Sequence, residues 1–210
     1  MTLAGLLYAA LAAPLAAQEP LPTLPGGWQM RLDRPDAPVA EVRITQEESG
    51  YRVSLGPSGI FYHPGVSAQG LYRLSSTFTQ RAPGHHPEGY GLFVGGRELE
   101  GPDQDYLYFL IRQDGRFLIK HRAGNETHTL REWTAHDAIR RPGPDSPAVN
   151  QLAVESRSGS VVFLVNGAEV TALPRLSELN TDGVSGFRVN HRLQLEFTDL
   201  SVDRLEGDAR

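Results

Sequence analysis

The 210-residue sequence predicts an all-β fold, two antiparallel sheets packed face to face. Three observations predict it. Apolar alternation of period two recurs from Trp28 onward, in about a dozen short runs separated by turn signals. Beyond the N-terminal stretch no segment keeps a helical period. The chain holds 22 Gly and 15 Pro, which suits many tight connections.

The elements follow in order. "MTLAGLLYAALAAPLAAQEP" is apolar from Leu3 to Ala13, breaks at Pro14 and ends in small residues. It is too short to span a bilayer and matches a secretory signal cleaved near Ala17, although no Lys or Arg precedes Arg31. The alternative is a buried N-terminal helix. Residues 1–17 are therefore read as a leader. Gln18 to Gly27, "QEPLPTLPGG", reads as an extended Pro-rich linker. A β-sandwich domain is expected over 28–206. Its strand candidates include "VAEVRITQ", "YRVSLG", "LYRLSSTFTQ", "GYGLFVGG", "YLYFLIR", "RFLIKHR", "NQLAVES" and "SVVFLVNGAEVTAL". Short helical turns are expected at "AHDAIR" and "LSELN".

Two hairpins set which side chains face inward. Asn166-Gly167 is a two-residue turn signal, since both central positions need positive φ. Val161, Phe163 and Val165 then share one face, with Val162 and Leu164 on the other. In "DYLYFLIRQDGRFLIKHRAG" a two-residue turn at Asp114-Gly115 would place Phe117 and Ile119 beside Tyr108 and Leu110. A three-residue loop, Gln113 to Gly115 with Gly115 left-handed, places them beside Leu107, Phe109 and Ile111. The second register gathers five apolar residues on one face and is preferred. In "RLQLEF", Leu193, Leu195 and Phe197 point inward while Arg192, Gln194 and Glu196 point outward. In "NQLAVES", Leu152 and Val154 point in and Glu155 out.

Composition excludes several function classes. The net charge is −5 and the isoelectric point about 5.8, with Arg scattered singly, so there is no electrostatic footprint for nucleic acid or anionic lipid. Lys120 is the single Lys. The absence of Cys removes disulfides, thiolate metal sites, cysteine nucleophiles and cysteine-linked lipid. No second segment is long and apolar enough to span a membrane. There is no Gly-x-Ser-x-Gly, phosphate-cradling Gly loop, His-Glu-x-x-His or dinucleotide fingerprint.

The outer row of the 105–122 hairpin is the best binding candidate. Tyr106, Tyr108, Arg112 and Lys120, with Arg192 from "RLQLEF", offer flat rings for stacking and cations for hydroxyl or acidic groups. Leu110, Leu118 and Leu164 are expected to face the same way, or to be covered by the N-terminal segment. The plainer alternative is an ordinary Tyr108–Lys120 cross-strand pair with the cation over the ring. Glu155 and Glu196 are the weak candidates for acid/base work. Asp103 and Asp105 are weak calcium candidates, and His85-His86 lacks further ligands at zinc spacing; no metal or other cofactor is otherwise expected. Trp133 reads as an aromatic at the rim of the core.

"GYGLFVGG", "DYLYFLIRQDGRFLIKHR", "REWTAHDAI", "NQLAVESRSGSVVFLVNGAEV" and "GFRV…LEFTDLSV" together resemble the concanavalin A-like lectin/glucanase jelly roll, over roughly Leu71 to Val202. More narrowly, they resemble bacterial exported domains grouped with laminin G-like and 3-keto-disaccharide hydrolase domains. The most specific piece is Asn-x-Leu-x-Val…Val-Asn-Gly at Asn150–Gly167. The resemblance implies a jelly-roll sandwich that binds or cleaves carbohydrate on a sheet. The Glu-x-Asp-x-Glu run of the glucanases is missing; Glu196 and Asp199 stand three apart, on opposite faces of a strand. The expectation is an exported, periplasmic or extracellular domain that binds a carbohydrate or glycan-like ligand without catalysis. Two alternatives stay open: a hydrolase of modified 3-keto glycosides using Glu155 or Glu196, and an interaction domain for an envelope protein.

Overall fold

The computed structural model describes residues 24–176, 179–198 and 200–206. The expected leader, most of the linker, part of "LSELN" and Asp199 lie outside the described residues. Fifteen strands, numbered in chain order, build two antiparallel sheets among the described residues. The front sheet runs β1 (Gln29–Leu32), β4 (Gly59–Ala68), β13 (Gly183–Val189), β6 (Gly89–Arg97), β7 (Asp105–Arg112), β8 (Arg116–Ala123), β9 (Glu126–Ala135). The back sheet runs β12 (Ala168–Pro174), β11 (Ser160–Val165), β10 (Ala148–Ser156), β5 (Tyr72–Gln80), β14 (Leu193–Phe197), β3 (Gly50–Leu55), β2 (Val42–Glu47), and β15 (Ser201–Arg204) also pairs with β5. This is the two-sheet antiparallel sandwich that the sequence predicts. "AHDAIR" forms a single hydrogen-bonded turn after β9, closed by Ile139 N–H to the His136 carbonyl.

Both hairpin registers hold. Ile111 pairs with Phe117 and Phe109 with Ile119, around a loop in which Gly115 has φ of 79°. Val165 pairs with Ala168 across Asn166 and Gly167, at φ of 52° and 83°. The five apolar residues of the first hairpin therefore enter the inter-sheet core, where Phe109 meets Phe163 of the back sheet with ring centroids 5.3 Å apart. Phe187 meets Phe197 at 3.9 Å and Phe78 edge-on at 5.7 Å, so aromatic contacts tie the two layers together. Each such ring removed from water stabilises the fold by about 1.5–3 kcal/mol.

The Asn150–Gly167 motif proves to be a clamp. Asn150 is fully buried; its amide bonds both the N–H and the carbonyl of Arg140 at 2.9 Å. Asn166 Nδ2 donates to the Ala138 carbonyl and to Asn150 Oδ1, and its Oδ1 accepts the Gln151 N–H. Two asparagines thus pin the 138–140 turn to β10 and β11, satisfying backbone groups that would otherwise be stranded.

Strand order places one set of connections at one end. Leu32 pairs with Gly59, which pairs with Val189, which pairs with Tyr90. On the back sheet Leu55 pairs with both Leu193 and Val42. The segments 33–41, 56–58, 81–88 and 190–192 consequently gather at this end, each carrying the chain out of a strand.

Candidate functional site

A cleft of about 1470 Å³ opens among these segments and continues onto the outer face of the front sheet. Its floor comes from β7 and β8: Tyr108, Leu110, Leu118 and Lys120. Alternation explains the floor, since these are the positions between the inward residues Leu107, Phe109, Ile111, Phe117 and Ile119. Trp133 from β9 and Arg188 from β13 flank it. Around the end of the sandwich the lining continues past the 81–88 and 190–192 connections to Arg52, Arg81 and Glu196 on the back-sheet side.

Trp133 reaches the floor because β9 leaves regular register beside β8, with irregularities between the partners of Phe117, Ile119 and Lys120. The Arg112 guanidinium lies 4.3 Å over its ring, and Arg112 also pairs with Asp114 at 2.8 Å. Gly89 supplies the remaining space: a Cβ there would come within 3.0 Å of both Trp133 and Leu110.

Arg188 is buried and forms a two-pronged ion pair with Asp33 from the segment after β1. Burial by itself would raise the Asp33 carboxyl, but the hydrogen bonds and charge of Arg188 carry it below the ordinary aspartate value. The same guanidinium stands 5.5 Å from the Tyr108 ring. Burial pushes the Tyr108 phenol up to about 12, so it remains a neutral donor at physiological pH.

The outer face of the front sheet is divided. Ile60, Tyr62, Phe93, Tyr106 and Leu99 close into a second apolar cluster that also includes Tyr108, Leu110 and Leu118. Leu99 belongs to the β6–β7 connection, which Arg31 fastens by two 2.8 Å hydrogen bonds to the Leu99 and Gly101 carbonyls. Tyr106 keeps 2% of its surface exposed and stands outside the cleft lining. Tyr108 keeps 7% and does line it, as do Lys120 and Arg192. Arg112 backs Trp133 rather than lining the cleft. Leu164 is on the back sheet with Ala153 and Val162, so it does not join Leu110 and Leu118 as the sequence had suggested. The cation facing the Tyr108 ring is Arg188 rather than Lys120.

Glu155 and Glu196 both project from the outer face of the back sheet, but far apart. Glu155 pairs with Arg73 and Glu196 with Thr79, six residues along β5. At about 3.3 Å per residue that is about 20 Å, beyond the separation at which two carboxyl groups serve one glycosidic bond. Each is also held as a carboxylate. Hydrogen bonds from Arg81, assisted by Arg52, bring Glu196 below its usual range. Burial would raise Glu155, but Arg157 and Arg73 together bring it down. A general acid needs the opposite displacement.

Among the described residues no three His, Asp or Glu side chains cluster as metal ligands. Asp105 bonds Arg97 and His121, and Asp103 lies exposed on the neighbouring connection. His85 and His86 line the cleft, and Glu88 pairs with His191 at 3.2 Å. Sequence reasoning placed Trp133 at the rim of the core and passed over Arg188 and Asp33. The aromatic in "LREWTA" was the available signal for the first. Nothing local marks the ion pair, whose members are 155 positions apart.

No protein-family model matches the chain, and no curated protein matches it. Solved structures share the fold. One is carbohydrate-binding module CBM66 from Bacillus subtilis, with a TM-score of 0.59 and 9% identity over 84% of this chain and 95% of that one. Another is the exoplasmic/lumenal domain of VIP36 in its Ca2+/Man3GlcNAc-bound form, at 0.59 and 10% over 88% and 86%. A third is a Bacillus subtilis protein of unknown function with a galectin-like fold, at 0.58 and 16% over 84% and 89%. The chain therefore shares its β-sandwich fold with these structures.

Proposed function

We propose that this protein binds a glycan in the cleft of the front sheet and performs no chemistry on it. The carrying observation is the composition of the floor. Trp133, already oriented by Arg112, stands beside the apolar surface of Leu110 and Leu118 and beside the donors Tyr108 and Lys120. Sugars present C–H faces and hydroxyl edges on one ring, and a floor that alternates apolar and donor groups matches that. The shared fold with a carbohydrate-binding module and a mannose-oligosaccharide-bound lumenal domain supports the reading. The resemblance of Asn150–Gly167 to laminin G-like and 3-keto-disaccharide hydrolase domains belongs to this proposal too. The hydrolytic alternative has less behind it, because its two carboxylates are distant and arginine-locked.

Export to the periplasm or beyond is part of the same reading and rests on the leader-like residues 1–17. No helix among the described residues is long and apolar enough to cross a membrane. The test is glycan-array screening followed by calorimetry on the full chain. Any glycan that binds is expected to lose at least tenfold affinity in Trp133→Ala, with the fold intact by circular dichroism. Equal binding by that variant contradicts the placement. An array with no hits contradicts the function.

A further inference from the structure

We propose that the glycan this cleft accepts is acidic, and that Lys120 and Arg192 recognise anionic groups at two places along it. The inference rests on the glycan-binding reading and narrows it to a ligand class.

The cleft has the opposite charge balance to the chain. Six Lys and Arg side chains line it against four Asp and Glu, on a protein whose net charge is −5. Most of those cations are occupied. Arg188 is held by Asp33, Arg52 and Arg81 share Glu196, and Arg34 pairs with Asp36. Lys120 and Arg192 differ: among the described residues neither makes an ion pair or a side-chain hydrogen bond. Glu41 is the lining carboxylate in the same condition, so the unoccupied groups still leave one positive charge in excess.

Position argues that these two cations serve a ligand. Lys120 is half-buried on the floor, directly opposite Tyr108. A partly desolvated ammonium with no counter-ion is an incomplete interaction, and an anion entering the cleft completes it. Every other Lys/Arg position in the chain, 19 in all, is Arg. The single Lys of the chain thus stands on the cleft floor, where its ammonium presents a compact point charge. Arg192 has φ of 55°, the left-handed region that glycine occupies freely and Arg does not. Residues held in strained backbone conformations cluster at binding sites. Here the strained turn delivers a free guanidinium to the cleft edge.

The test uses matched saccharide pairs: oligogalacturonate against its methyl ester, sialyllactose against lactose, and sulfated against desulfated chondroitin. In at least one pair the acidic member should bind the full chain tenfold or more tightly, with affinity falling as salt rises. Lys120→Met and Arg192→Gly should each reduce that preference at least threefold. Lys120→Arg should keep part of it, and Arg131→Gln, which removes an exposed charge outside the cleft, should leave it unchanged. A neutral member that binds as tightly as its acidic partner in every pair overturns this inference and leaves glycan binding standing. An acidic preference that survives in both Lys120→Met and Arg192→Gly also overturns it. No binding by any member overturns both readings.

Discussion

The inner and outer rows of the β7–β8 hairpin are built from the same strands yet end differently. Leu107, Phe109, Ile111, Phe117 and Ile119 meet the back sheet and are sealed on all sides. Tyr106, Tyr108, Leu110 and Leu118 are also buried, but against a partial cover. Leu99 closes the Tyr106 end, and at the other end the same apolar surface becomes the floor of a cleft. The difference teaches that an apolar outer row is a second, smaller core, interrupted where the covering connection stops. The interruption is where the glycan is proposed to bind.

The sharpest contrast between the rows is energetic. Phe109→Ala should cost about 3–5 kcal/mol, because a fully enclosed ring leaves a cavity the two sheets cannot close. Leu110→Ala should cost about 2–3 kcal/mol, the low end for a large-to-alanine change, since one side of that residue borders the cleft. Urea denaturation at constant m-value measures both. Equal costs would erase the distinction between the rows.

Next in size is the ion pair that bounds the floor. Asp33→Ala leaves buried Arg188 without its counter-ion and should cost about 2–3 kcal/mol, reduced from a fully buried pair because 34% of the Asp33 side chain meets water. The pH dependence follows from the lowered Asp33 value. A carboxyl more acidic in the folded state contributes its stability in full above an unfolded aspartate's ordinary range. That contribution disappears as pH falls through the folded value. The stability gap between the parent and Asp33→Asn should therefore stay constant from pH 7 to about 4 and narrow below it. A gap that widens on acidification contradicts the assignment.

The smallest effect is expected at the cleft edge. Arg192→Gly removes a side chain with no partner among the described residues and relaxes a left-handed backbone. Stability should change by less than about 0.5 kcal/mol, or rise by about that much. A large loss would mean that Arg192 supports the fold.

The sequence made the rows legible and left their covers hidden. Only a three-residue loop at Gln113–Gly115 brings five apolar side chains together, and Asn166-Gly167 admits one turn, so alternation and turn chemistry sufficed. Which sheet a strand joins is a long-range matter. Leu164 was grouped with Leu110 and Leu118 because β11 alternates like β8, although the two strands lie in different sheets. Alternation places Tyr106 on the ligand floor, and nothing near it in the chain shows that it joins Phe93 and Leu99 in a buried cluster. Trp133 depends on an irregular β8–β9 pairing, which a period-two pattern does not reveal. Lys120 and Arg192 do line the cleft, and charge on an outward position is visible in the chain itself.

The glycan is proposed to meet the outer row of β8. The single lysine allows a direct measurement. Reductive 13C-dimethylation keeps the charge and labels Lys120 and the N-terminus alone. Titration with a glycan that binds by calorimetry should move the Lys120 methyl resonance in proportion to occupancy and leave the N-terminal one still. Saturating binding with no movement at Lys120 would place the ligand elsewhere and contradict the account.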